Sequence, residues 1–315
     1  MLFENKIKEA YLQRICRRYD DEGLARYFTH HDFDGLKAEA FSFEGREGHA
    51  LNGAFYYYDG YRADKLVVFD HGMGGGHLSY MREIERVCRA GYRVFSYDHT
   101  GCMTSGGEGT GGFARSLDDL GRAINALKVK LGEDMAFSVI GHSWGGYSTL
   151  NIASLHPDIE SIVAISGFSS VKRMLDGVFN AYAPLIMKLE EGNAIPTLGA
   201  DAATSLADYK GRALVIHSKD DRVVSAKKHF AYLKEALAEN ENVRFMLVNG
   251  KAHNPNYTQD AVKYLAAYVK TLTRRLRKGT LATPEAREEF VASFDWWRMT
   301  EQDEAVWKEI IDVIG

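Results

Sequence analysis

Between residues 66 and 248 the chain repeats one texture: a short apolar run, then a longer stretch with helical spacing. The runs are LVVF (66–69), YRVFSY (92–97), AFSVIG (136–141), SIVAIS (161–166), ALVIH (213–217) and VRFMLV (243–248). They do not alternate apolar with polar residues, so they read as strands buried on both faces. The helix-like stretches lie at about 78–90, 115–131, 144–155, 225–239 and 258–276. The last places Val262, Leu265, Val269, Leu272 and Leu276 on one face. Strand–helix alternation of this kind leads to an α/β fold: a mostly parallel central sheet with helices on both faces.

The flanks read differently. Residues 37–43 and 49–58 alternate and are joined through Glu44-Gly45-Arg46-Glu47-Gly48, which predicts an N-terminal antiparallel hairpin. Over 5–28 the apolar positions Ile7, Tyr11, Ile15, Tyr19 and Leu24 approach helical spacing. The connection from Ser166 to Arg212 is too long for a loop and carries Met174, Leu175, Val178, Leu185 and Leu189, so a small helical cap is expected there. In the tail, Thr283 with Pro284 and Thr300 with Asp303 are helix-start signals. The expected division is a helical extension at 1–34, a core at 35–167 and 211–279, a cap at 168–210 and a helical tail at 280–315. The terminal segments are expected to pack together or on the sheet edge, with a homodimer contact left open.

Composition narrows the function classes. A chain of 315 residues can hold one α/β domain with insertions, and a formal charge of −4 offers nothing to nucleic acid. The basic cluster Arg274, Arg275, Arg277 and Lys278 sits where cations complement a helix C-terminus. Cys16, Cys88 and Cys102 form neither a disulfide framework nor a metal spacing. His30-His31-Asp32 reads as a solvated turn, so no metal is expected. The start MLFENKIKEAY lacks the apolar core of a signal peptide, and no run reaches the ~18 apolar residues of a membrane span. The cytoplasm is the expected location.

The stretch VIGHSWGGYS (139–148) carries the chemistry. An apolar strand, a Gly-x-Ser-x-Gly turn and a helix make a nucleophile elbow. Gly141 and Gly145 let neighbouring backbone come close, and Ser143 presents its oxygen. The amide of Trp144, at the helix start, points where an oxyanion would form. A serine hydroxyl needs a base. SKDDRVVS follows the strand at 213–217, and NGKAHNPN follows the strand at 243–248. Asp221 and His253 are therefore the candidate acid and base, with the adjacent Asp220 as the other candidate acid.

At these residues the chain resembles the α/β-hydrolase superfamily, over about residues 37–276. The family's acid lies in a stretch like H-G-x-x-D-x-x-V-P. Here that stretch runs from His217 to Ser225, which aligns Asp221, with Ser218 and Ser225 as departures. In DHGMGGGH (70–77) the resemblance implies that the backbone amide of Met73 is the second oxyanion donor. DHTGCMTS (98–105) looks like the family's D-x-x-G-x-G-x-S loop, with Met103 in place of the second glycine and Asp98 in a supporting role.

The remaining candidates take lesser roles. His142 is a structural or pocket-wall residue, His71 braces the oxyanion loop, and Cys102 has no histidine left to activate it. Trp296, Trp297 and Trp307 are expected to pack. The expected activity is that of a serine hydrolase without cofactor or metal, acting on a small-molecule ester or thioester. Phe168, Phe179 and Tyr182 of the cap, with His142, are the expected substrate pocket. Glu190 and Glu191 could read a substrate amine or form a wet helix end. A peptidase or amidase comes second, since the HGGPG motif of proline iminopeptidases is missing. An acyltransferase on the same triad, or a non-catalytic ligand-binding protein, are the rivals from other classes.

Overall fold

Valine, isoleucine and phenylalanine dominate the apolar runs, and such residues suit a pleated, fully buried surface. The computed structural model describes residues 2–315, with side chains from Glu4 onward. The hairpin is β1 (Lys37–Glu44) and β2 (Ala50–Tyr57). The runs become β3 (Arg62–Asp70), β4 (Tyr92–Tyr97), β5 (Ala136–His142), β6 (Ser161–Ile165), β7 (Arg212–Ser218) and β8 (Val243–Val248). They form one sheet in the order β1-β2-β4-β3-β5-β6-β7-β8. The pairs β1–β2 and β2–β4 are antiparallel and the rest are parallel.

The helices are α1 (Leu2–Tyr11), α2 (Met81–Arg89), α3 (Arg115–Leu131), α4 (Trp144–Asn151), α5 (Val171–Val178), α6 (Ala183–Gly192), α7 (Ala202–Ala207), α8 (Phe230–Ala236), α9 (Gln259–Arg277), α10 (Pro284–Ala292), α11 (Trp296–Met299) and α12 (Glu304–Ile314). One apolar layer joins Leu66, Val68, Val139, Ile162 and Val215 of the sheet to α3, α4, α8 and the insertion. The other joins Val67, Phe69, Ile140, Val163 and Ile216 to α2 and α12. The insertion between β6 and β7 is α5, α6 and α7, which matches its apolar helical spacing.

Four expectations are corrected. The N-terminal stretch 5–28 is α-helical only through Tyr11 and ends in a π-helical turn at Leu12–Cys16. Beyond it the backbone is taken by another loop: Tyr19 N–H donates to Gly101 O at 2.8 Å, and Met103 N–H donates to Tyr19 O at 2.7 Å. The stretch at 225–239 is helical only over α8, because the Asp221 carboxylate and the Ser225 side chain accept the backbone amides ahead of it. The helix start in the tail is capped by Asp303, whose Oδ1 accepts the amides of Ala305 and Val306; Thr300 instead ends α11.

The fourth concerns the tail and α9. The α9 face named from its spacing is only partly covered: Leu265 and Leu272 pack against the core layer, while Val269 and Leu276 are each 48% exposed. α12 covers the sheet itself. Its Trp307, Ile310 and Ile314 are fully buried, and Ser161 Oγ of β6 donates to Val313 O at 3.0 Å. The tail is thus part of the core layer. The terminal segments do meet: Tyr268 Oη donates to Leu24 O at 2.5 Å, and Phe28 and Phe33 pack on the Trp297 ring. α1 lies on α6 of the insertion rather than on the sheet edge.

Candidate active site

The glycines around Ser143 are explained by what a methyl group would strike. A Cβ on Gly145 would lie 2.1 Å from Asp70 O, and one on Gly141 would lie 2.3 Å from Gly145 O. Gly146 faces Gly167 with backbone against backbone. With that room, β5 turns directly into α4. Ser143 is left at φ 57, ψ −110, a conformation that non-glycine residues adopt only when the surroundings impose it. Its amide donates to Ile165 O at 2.9 Å and its carbonyl accepts the Tyr147 amide at 3.0 Å.

Ser143 Oγ lies 2.8 Å from His253 Nε2, and His253 Nδ1 lies 2.8 Å from Asp221 Oδ2. The acceptor at Nδ1 selects the tautomer with Nδ1–H, which leaves Nε2 free to accept the serine proton. Asp221 Oδ1 accepts the amides of Val223 and Val224 at 2.8 and 3.0 Å. Burial pushes the Asp221 pKa up, but His217, His253 and the Val224 amide outweigh it and hold the carboxyl well below the usual carboxylate range. Asp220, the other sequence candidate, points elsewhere. Its carboxylate accepts the amides of Gly250 and Ala252 at 2.9 and 3.3 Å and so braces the loop that carries His253.

His142 is buried beneath that loop. Its Nε2–H donates to His253 O at 2.8 Å, and its Nδ1 accepts the Tyr80 hydroxyl at 2.8 Å. Burial, with His253 beside it, pushes its pKa down to about 3, which keeps the ring neutral. The Trp144 amide heads α4, where no intrahelical acceptor exists. Met73 follows Gly72, on which a Cβ would lie 3.3 Å from Ser143 Cβ. Gly72 itself therefore lies against the serine.

A buried layer supports these loops. His71 Nδ1–H donates to Gly72 O at 2.6 Å, and its Nε2 accepts the His99 amide at 3.0 Å. Asp98 accepts His77 Nδ1 at 2.7 Å, the His77 amide at 2.8 Å and Thr104 Oγ1 at 2.7 Å, tying the glycine loop to the loop after β4. His99 lies between Asp70 (3.0 Å) and Asp119 (3.4 Å), close as charges but without hydrogen-bond alignment. Burial works to neutralise His99, yet the two carboxylates raise its pKa to about 9. Sequence reasoning missed His99, Asp119, Tyr80 and His217. The one available signal was a polar residue set into an apolar run, as His217 is in ALVIH.

The expected pocket rings have partners within and beside the insertion. Phe168 is buried, stacked on Tyr147 with centroids 4.6 Å apart, and edge-on to Phe113. Phe179 packs edge-on to Tyr11, and Tyr182 is half-buried in the turn before α6. Glu190 is fully buried and accepts the Tyr11 hydroxyl and the Phe113 amide. Among the described residues, no group of three or more His, Cys, Asp or Glu could hold a metal ion, and no helix is long and apolar enough to cross a membrane.

Residues 61–200 match the model of the family described as serine aminopeptidase, S33. No curated protein matches the chain. An esterase from Pyrococcus furiosus is similar in structure, with a TM-score of 0.61 at 19% identity, over 83% of this chain and 98% of that one. A putative dienelactone hydrolase from Klebsiella pneumoniae aligns with a TM-score of 0.55 at 14% identity, over 89% and 99%. The α/β hydrolase GrgF from Penicillium aligns with a TM-score of 0.53 at 14% identity, over 81% and 99%. The chain has the α/β-hydrolase fold. These hydrolases are covered almost whole, so this chain carries the complete fold plus segments of its own.

Proposed function

We propose that the protein is a serine hydrolase that cleaves a carboxylic ester or thioester with a small acyl group. The observation that carries this reading is the series Ser143–His253–Asp221, joined by hydrogen bonds of 2.8 Å at each step. Ser143 Oγ attacks the carbonyl carbon while His253 Nε2 takes its proton. The amides of Met73 and Trp144 donate to the oxyanion of the tetrahedral intermediate. His253 then gives the proton to the departing alcohol or thiol, and the acyl group remains on Ser143. Water, deprotonated by His253, attacks the acyl-enzyme; the acid leaves and the serine regains its proton. Asp221 holds the imidazole tautomer and stabilises the imidazolium. A cytoplasmic setting belongs to the same proposal, supported by three scattered free cysteines.

The stack of Phe168 on Tyr147 supports the small acyl group, since the rings under the insertion fill one another's space. The family model is described by a peptidase activity, but Glu190 is engaged by Tyr11 and Phe113, which leaves it poorly suited to reading a substrate amine. An ester therefore ranks before an amide. The test is nitrophenol release from nitrophenyl esters of increasing acyl length. Turnover should be highest with the shortest chains and fall to background in Ser143→Ala. Turnover that survives in Ser143→Ala would overturn the proposal. Acyl transfer to added alcohols or amines in preference to water would point to the acyltransferase. Folded protein that turns over no ester but binds one equally in both forms would point to a binding protein.

A further inference from the structure

The loop that carries His253 has no regular structure from Asn249 to Thr258, and Ala252 beside the histidine sits at φ 47. A short loop with a strained residue next to the base needs its position over-determined by its surroundings. His142 and Asp220 brace two sides. The third side is closed from the C-terminal tail, which lies outside the stretch of sequence that resembles the superfamily.

Lys251 turns inward, with its side chain only 7% exposed. Its ammonium donates to Tyr257 O, joining the two ends of the loop, and to Asp303 Oδ2 at 2.5 Å. Asp303 is held in its turn. Its amide donates to Asn256 O at 2.8 Å, and its other carboxylate oxygen caps α12, which is seated on β6 and β7. Next to it, Gln302 pairs with Tyr257 as a β-bridge and accepts Asn256 Nδ2 at 3.0 Å and Trp307 Nε1 at 2.7 Å. The Thr258 amide donates to Glu301 O at 2.9 Å. Among the described residues, no hydrogen bond or ion pair joins Lys251 or Asp303 to Ser143 or to the Asp221 carboxylate.

We propose that Lys251 and Asp303 are positioning residues: through their half-buried ion pair the C-terminal tail sets the place of the His253 imidazole. This rests on the hydrolase function proposed above. An ordinary stabilising ion pair would matter only to folding. A positioning pair matters to the rate on folded molecules, because an error of about 1 Å in a reacting group can cost about a hundredfold.

Asp303→Asn and Asp303→Ser separate the two. Both keep a good helix cap for α12 and remove the carboxylate that faces Lys251. Lys251→Met and the double variant Lys251→Met/Asp303→Asn complete a cycle. The concentration of working serine is counted by burst titration with a fluorophosphonate, and kcat and KM for the shortest nitrophenyl ester are measured well below the unfolding temperature. Each variant should lose about ten- to a hundredfold in kcat per titrated site, with KM within about twofold, and the double variant should be no worse than the worse single one. Thr283→Ala uncaps α10, away from this loop, and should lower thermal stability without changing kcat. Unchanged kcat per titrated site in both Asp303 variants would overturn the proposal. Should the unaltered protein show no titratable serine, the hydrolase function itself would fall, and this assignment with it.

Discussion

Ser143, Asp221 and His253 are held by different parts of the fold, and the physical demands on each differ. Asp221→Asn keeps the size of the side chain but offers His253 Nδ1 a different partner, so the wrong tautomer becomes favourable. We expect kcat to fall by about 10³–10⁴, measured as esterase turnover with the protein still folded. Gly145→Ala should lower stability and, because it displaces the elbow that holds Ser143, the rate as well. Its Cβ would meet backbone at 2.1 Å, and overpacking of that kind costs about 1–3 kcal/mol or more; urea denaturation would read it. Asp221 and Asp98 both have carboxyls held below the ordinary range in the folded protein, where opposing burial is outweighed by their hydrogen-bond partners. Their ionised forms therefore favour folding. That contribution is complete above the unfolded-state value of about 3.9 and is lost as pH falls from there toward the lower folded values. The carboxylate contribution should be lost below about pH 4, whereas buried neutral His142, with a pKa of about 3, adds a decline that starts as the unfolded chain's histidine takes up a proton below about 6.5; stability measured across pH 7 to 2 would show both.

At the scale of elements, the chain shows where local rules hold and where they are overridden. β4 and α3 begin and end at the residues their spacing predicts, because each is a run whose neighbours in sequence supply its whole pattern. The helix expected to continue from α1 stops because residues 17–19 find better partners elsewhere. The Arg18 guanidinium donates to Met103 O, Ser105 O and Gly107 O, and so straps the loop after β4. α1 in turn is pinned to α6 by Tyr11 and Glu190, both buried. Burial raises the Glu190 pKa, yet the carboxyl still depends on the Tyr11 hydroxyl and the Phe113 amide for its hydrogen bonds. Tyr11→Phe leaves one of those unmet. The expected cost is about 1–3 kcal/mol by chemical denaturation.

For the whole molecule, the two terminal segments should behave differently on removal. α12 buries Trp307, Ile310, Val313 and Ile314 against the sheet. At about 1.5–3 kcal/mol for each large side chain, their loss approaches the whole stability of a typical domain, ~5–15 kcal/mol. A chain ending at residue 299 should therefore be insoluble or unfolded. Among the described side chains of residues 1–16, Tyr11 is the one fully buried ring, so protein lacking this segment should stay soluble with a lower melting temperature. Sedimentation and thermal scans of the two truncations would check both.

The amino-acid sequence by itself determined the parallel sheet, the elbow at Ser143 and the order serine, acid, histidine along the chain. Each follows from spacing among near neighbours: unbroken apolar runs, glycines two residues either side of a serine, polar loops directly after strands. Only the tertiary structure decided that Asp221 rather than Asp220 faces His253, that Phe168 packs on Tyr147, and that α12 rather than α9 covers the sheet. Those outcomes depend on pairs far apart in the chain, such as Lys251 with Asp303 and Tyr11 with Glu190. Such pairs leave no periodic mark in the sequence, because what selects them is the space and charge left when the rest of the chain has packed.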